Sequence, residues 1–245
     1  MKGVIGNEKL KKLMEKYHGN ISVLEEQIDV KLQMEYFKES REQKSQLVKE
    51  EVLNRKEEIF SDELVLNEKK KLLCQLALVD EVEAFKALER YRQLPDKQLL
   101  SWSVLAYQQS KMLMQSTLLD EKPLFISTGL GGQGKMLRYF IVIITKDYAN
   151  FVDYQKKLVR NEFETAFKKS ESVLEEITCE GNYLTLTGLV SLDVGLKKMI
   201  SQIIAQCNEI GDFLNTSVLV TNVKKLSSLE IQAMIEEQKN NSIDK

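Results

Sequence analysis

The chain has 245 residues, 43% of them hydrophobic, with 35 Lys+Arg against 37 Asp+Glu. Length and apolar content permit one large domain or two modest ones, each with its own core. The charge balance also holds locally, with 21 basic and 22 acidic groups in residues 1–122, 12 and 11 in 123–226, and 2 and 4 in 227–245. No segment has the basic excess with which nucleic-acid binders neutralise phosphate.

Cys74, Cys179 and Cys207 are far apart, odd in number and never in a C-x-x-C pattern. Such thiols suit a reducing cytoplasm, where they act as small hydrophobes. The opening MKGVIGNEKLKK lacks the apolar centre of a signal peptide, and the densest apolar run, Tyr139–Ile144, is far too short to span a bilayer. A cytoplasmic protein with no membrane span is expected. The only histidine is His18. With it and three scattered cysteines, no local metal-ligand spacing exists, and no metal or cofactor is expected. Acidic pairs such as Asp62-Glu63 and Glu175-Glu176 read as solvated faces.

Residues 1–122 read as a helical half. Ser22 and Glu25 fit an S-x-x-E capping box with Ile21 as its staple, ahead of an extended charged helix over about 22–60. Leu24, Ile28, Leu32 and Tyr36 recur every fourth residue. The alternation in IDVKLQMEY makes a strand the rival reading, but the Glu/Lys/Gln-rich continuation favours helix. Ser40–Gln46 has no apolar residue and is expected to be solvent-exposed. Three further helices fit at about 62–79, 81–93 and 96–119, with Asp80 and Asp96 as caps of the last two. This stretch resembles a single HEAT-type helical pair. Solenoids need several copies, so it is a helix-packing pattern. Trp102, Leu105, Ala106, Leu113 and Met114 are expected to face partner helices.

At Pro123 the character changes. PLFIST, GLGGQGK and MLRYFIVIIT read as strand, tight loop and strand. A helix over about 148–169 follows, capped by Asp147. A hairpin turns at Gly181-Asn182. A helix over about 194–210 has Asp193 at its start and Gly211 just past its end, and buries Leu196, Met199, Ile200, Ile203, Ile204 and Cys207. A last strand, NTSVLVTNV, precedes a short helix with Ser227 and Glu230 as a capping box, and the tail should fray. The expected fold is therefore α+β. A helical half of packed helix pairs (1–122) leads into a ferredoxin-like β-α-β-β-α-β domain (123–226) with an extra N-terminal hairpin strand, and residues 227–245 form a short helix and tail.

GLGGQGK satisfies two nucleotide-binding patterns. Gly129, Gly134 and Lys135 fit G-x-x-x-x-G-K, with Met136 where Ser/Thr should follow; Gly129, Gly131 and Gly134 fit G-x-G-x-x-G. Both motifs work by handing phosphate to a helix N-terminus. Here the loop runs into a strand, so neither has its context. A kinase-type glycine loop does lie between strands, and Lys146 stands near the corresponding place, but no H-R-D or D-F-G follows. The segment reads first as a hairpin connection. As a site it offers anion or partner contacts from Gly129, Gly131, Gly132, Gly134, Lys135 and Arg138, the backbone amides forming a nest beside two cations. An RNA-recognition reading of the β-α-β-β-α-β order would need stacking aromatics; Tyr139, Phe140 and Tyr183 are what the two central strands supply.

No catalytic set emerges. The leading expectation is a non-catalytic cytoplasmic interaction or assembly protein with a protein partner or self-association. An anion- or nucleotide-binding loop at Gly129–Arg138 comes second, and RNA binding third.

Overall fold

The computed structural model describes residues 20–119 and 124–243. Pro123, His18 and the last two residues, to which parts of the sequence reading refer, lie outside them. The chain divides into two compact units, the first ending at Ile126 and the second running from Ser127. The fold is mixed helix and sheet. No helix among the described residues is long and apolar enough to cross a membrane.

The first unit opens with a short strand, β1 (Ile21–Val23), and closes with β2 (Leu124–Ile126); the two pair in parallel, Ile21 opposite Leu124. Between them lie α1 (Val30–Lys44), α2 (Lys49–Asn54), a 3-10 turn (Lys56–Phe60), α3 (Leu66–Ala77), α4 (Val82–Gln93), a second 3-10 turn (Lys97–Leu99) and α5 (Leu100–Leu119).

Several cap expectations are corrected here. Ser22 belongs to β1, and its hydroxyl accepts from Gln108 Nε2 at 2.8 Å. Asp29 starts α1 instead, accepting from the Lys31 amide at 2.7 Å. Asp80 does not cap α4; with Glu81 it takes Lys49 Nζ. Asp96 makes no cap bond either, because its carboxylate accepts from Lys69 Nζ at 2.8 Å and Tyr91 OH at 2.6 Å. For Asp80 and Asp96 a charged partner from elsewhere in the chain outcompetes a local backbone amide. The extended helix expected over 22–60 is broken at residues 45–48, where the Ser45 amide and hydroxyl close the last turn of α1 on the Glu42 carbonyl, the hydroxyl at 2.8 Å, and Leu47 packs on the core.

The core of this unit gathers Leu24, Ile28, Tyr36, Leu73, Leu88 and Trp102. Tyr36 meets Trp102 edge-on at 5.2 Å. Leu105 and Ala106 are buried as the helical spacing predicts, while Leu113 and Met114 are half-buried.

The second unit is built on an antiparallel sheet with strand order β7-β4-β6-β5. Its elements are β3 (Gly132–Gln133), β4 (Met136–Thr145), α6 (Asp153–Lys169), β5 (Val173–Glu180), β6 (Tyr183–Ser191), α7 (Leu196–Gly211), β7 (Leu214–Thr221) and α8 (Ser228–Ile243). The extra hairpin strand is not PLFIST, whose strand belongs to the first unit. The glycines themselves form β3, Gly132 opposite Leu137 and Gln133 opposite Met136. The division therefore falls after Ile126, four residues beyond the expected one.

Alternation along β4 assigns its two faces. Tyr139 pairs with Gly188, and a β-carbon on Gly188 would sit 2.5 Å from Phe167 of α6, so this face meets the helices. Phe140, Val142 and Ile144 point the other way, into a cluster with Ile231 and Ile235 of α8. The apolar stripe of α7 is buried as read. Gly211 is its last residue rather than its stop, and Asp212 takes the left-handed cap at φ 45°. Likewise, α6 starts after Val152 and Asp147 lies in a turn before it. The Gly181-Asn182 hairpin forms, with Gly181 at φ 55°. The Ser227/Glu230 box forms in both directions, Ser227 N to Glu230 Oε2 at 2.9 Å and Glu230 N to Ser227 Oγ at 3.3 Å. Because α8 covers one sheet face, residues 227–243 are part of this unit rather than an appended tail.

Candidate functional site

The glycine segment is packed rather than open. Gly129, Leu130, Gly131 and Gly132 are buried, and only Gln133, Gly134 and Lys135 at the tip are exposed. Gly129 lies against the loop after β7; a β-carbon there would fall 1.8 Å from the Val223 carbonyl oxygen. Leu130 N–H donates to Asn222 O at 3.0 Å, and Gly131 N–H to Thr128 O at 3.3 Å. Gly131 and Gly134 hold φ of 68° and 57°, which explains the glycines at those two places.

Arg138 is committed as well. It makes a bidentate pair with Glu175, Nε to Oε2 at 2.7 Å and Nη2 to Oε1 at 2.8 Å, and its Nη1 donates to Leu130 O at 2.9 Å. Of the six residues singled out in sequence, the structure brings Gly129, Gly131, Gly132 and Arg138 together inward. It leaves Lys135 and Gly134 outside at the turn. Lys146 pairs with Asp212. The aromatics weighed for base stacking are all buried. Phe140 and Tyr183 lie in the cluster with Ile231 and Ile235 of α8, and Tyr139 is on the opposite face.

A different feature of the first unit has the character of a binding site. A cleft of about 760 Å³ opens between α1 and α5. Phe37, Ser40, Arg41 and Lys44 line it from α1; Leu105, Gln109, Met112, Leu113 and Ser116 line it from α5; Ala77, Leu78 and Phe125 complete it. Phe37 and Phe125 meet edge-on at 6.4 Å. One polar cluster is set among these apolar walls. Gln109 Oε1 accepts from Tyr36 OH at 2.7 Å, and the buried Ser40 hydroxyl lies 3.1 Å from that oxygen and 2.9 Å from Gln109 Nε2. Burial pushes the Tyr36 phenol well above its usual range, so it stays a donor. Arg41 and Lys44 are exposed at the rim. Arg41 Nε reaches only its own helix, Phe37 O at 3.1 Å, and neither side chain has a carboxylate partner among the described residues. A mostly apolar concavity with a few fixed polar groups is the usual form of a binding pocket.

No family model matches this chain, and no curated protein matches it. Two solved structures are similar to part of it. One is the crystal structure of a protein from Deinococcus radiodurans provisionally named a transposase. It is 17% identical, with a TM-score of 0.37, the match covering 44% of this chain and 94% of that one. The other is the solution structure of the C-terminal domain of the MgtC protein from Mycobacterium tuberculosis, 12% identical with a TM-score of 0.28, covering 39% and 97%. At these scores neither likeness bears on function.

Sequence reasoning passed over the cleft. It took Ser40–Gln46 for a solvated run, whereas Ser40 is 4% exposed and bonded to Gln109. The available signal was the spacing Phe37, Ser40, Arg41, Lys44, which places one aromatic, one hydroxyl and two cations on one side of α1.

Proposed function

We propose that this chain is a non-catalytic cytoplasmic interaction or assembly protein, and that its helical unit is the part that receives a partner protein. The observation that carries this reading is the cleft between α1 and α5. Its walls are apolar, its polar floor is internally satisfied by Gln109, Ser40 and Tyr36, and its two rim cations have no carboxylate partner among the described residues. Apolar core and charged rim is the usual anatomy of a protein-binding surface. Cys74 and Cys207 are buried and unpaired, which accords with a reducing compartment. We read the second unit as ferredoxin-like; strand order β7-β4-β6-β5 with α6 and α7 as the crossing helices supports that assignment. On this reading it is a scaffold. The glycine segment serves its packing, since Arg138 and the Leu130 and Gly131 amides are bonded internally.

Photo-crosslinking in the native cell tests the assignment. A benzophenone side chain replacing Met112 in the cleft is compared with one replacing Lys157, exposed on α6. A discrete adduct from position 112 alone, lost when Leu113→Arg fills the cleft, is expected. No adduct, or the same adducts from both positions, would refute the assignment.

A further inference from the structure

The cleft carries an inference about what enters it, which rests on the reading above. Its lining positions recur at helical spacing on both walls. Phe37, Arg41 and Lys44 mark two turns of α1, and Leu105, Met112 and Ser116 mark three turns of α5. The α5 wall is about 16 Å long, from the rise of an α-helix. Rows spaced by three and four residues form the ridges between which another helix packs. A wall of three turns suits a helix anchored at i, i+3 or i+4, and i+7.

Charge specifies the polar face of that helix. Among the described residues, Arg41 and Lys44 are the only ionisable ones lining the cleft, and none of the lining residues is a carboxylate. The nearby acids of α1 are engaged on their own helix, Glu39 by Gln43 at 2.7 Å and Glu42 by Lys38 at 3.9 Å. The first 19 residues of the chain carry five lysines against two glutamates, the wrong sign for a cationic rim. The acidic α8 already spends Ile231 and Ile235 on the sheet of its own unit.

We propose that the cleft binds an amphipathic helix of a partner protein whose polar face is acidic. Its apolar anchors insert between Leu105, Met112 and Phe125, and its carboxylates pair with Arg41 and Lys44 at the rim. Among the described residues no carboxylate meets the terminal guanidinium nitrogens of Arg41, which could take one in the bidentate manner in which arginine pairs strongly.

Two fluorescent helical peptides test this with the full-length protein. They share one leucine face and differ only in polar residues, all Glu or all Lys. Sodium decanoate is the third probe. In fluorescence anisotropy the Glu peptide is expected to bind at least about ten-fold more tightly than the Lys peptide, with the preference shrinking as salt screens the rim. R41E/K44E, at two exposed positions in the last turn of α1, is expected to lower the melting temperature by a few degrees through the helix dipole and, measured well below that temperature, to invert the order. Met112→Glu is expected to weaken both peptides. Equal or tighter binding of the Lys peptide would sink the acidic-helix inference and leave the docking assignment standing. Binding of decanoate without the Glu peptide would replace the helix by a small amphiphile. Binding of none of the three probes would remove the cleft as a docking site altogether.

Discussion

Gly129 and Val223 are in backbone contact: a β-carbon at position 129 would lie 1.8 Å from the Val223 carbonyl oxygen and 2.7 Å from its carbon. The obstacle is main chain held by the Leu130 N–H to Asn222 O bond, so it cannot swing aside as a flexible side chain would. Gly129→Ala is therefore expected to cost about 3 kcal/mol or more, at the upper end of overpacking effects. Gly134→Ala meets nothing within 4 Å and bears only the penalty of φ 57°, about 1 kcal/mol. Urea titration of the two variants should rank them in that order. Equal costs would mean that the glycine segment is not packed as described.

Asp96 holds the buried Lys69, whose side chain is 4% exposed. Lys69, and then the Tyr91 hydroxyl, keep the Asp96 carboxyl below the usual carboxylate range. Its folded pKa is thus lower than its unfolded one. The associated stability is complete above the unfolded value, near pH 4, and is lost as pH falls through the folded value. Asp96→Asn leaves an uncompensated lysine and is expected to cost on the order of 3 kcal/mol at pH 7. The variant should also lose less stability than the parent between pH 5 and about pH 2. Parallel pH profiles would show that the pair makes no net contribution.

The sheet of the second unit needs α8. Ile231 and Ile235 cover Phe140, Val142, Ile144 and Tyr183. A fragment over 127–245 is expected to melt cooperatively, whereas one ending at residue 226 should bind an apolar-surface dye and melt poorly. Ser227→Ala should cost about 1 kcal/mol through loss of the helix cap. Indistinguishable melting of the two fragments would contradict the role of α8 as a covering layer.

Lys135 is exposed at the hairpin tip, and Arg138 is engaged by Glu175 and Leu130. Magnesium ATP or GTP at millimolar concentration is expected to raise stability by about 0.4 kcal/mol or less, the yield of a millimolar site. Lys135→Ala should be neutral. Arg138→Met should cost about 2 kcal/mol, because it strips partners from Glu175 and the Leu130 carbonyl. A thermal shift by nucleotide that vanishes in Lys135→Ala would make the loop a phosphate site.

Local pattern alone determined much of this protein. The helical stripe of α7, the Gly181-Asn182 hairpin, the Ser227/Glu230 box and the β-α-β-β-α-β order are each written in residues close in sequence, whose periodicity and turn chemistry do not depend on distant partners. The tertiary structure decided wherever two groups compete for one partner, or where neighbours come from far along the chain. Ser22 had the letters of a helix cap, but pairing Ile21 with Leu124 put it in a strand. Asp80 and Asp96 had the same local opportunity and took lysines instead, because a charged partner outweighs a backbone amide. The glycines of GLGGQGK look like a phosphate loop in sequence. Gly131 and Gly134 take left-handed conformations there, and Gly129 lies against the backbone of Val223. Ser40 lies in a run without an apolar residue and is buried all the same, because Gln109, 69 positions away, supplies its hydrogen bonds. The cleft beside it arises from the spacing of α1 and α5 across the unit, a distance set by packing and absent from either helix alone.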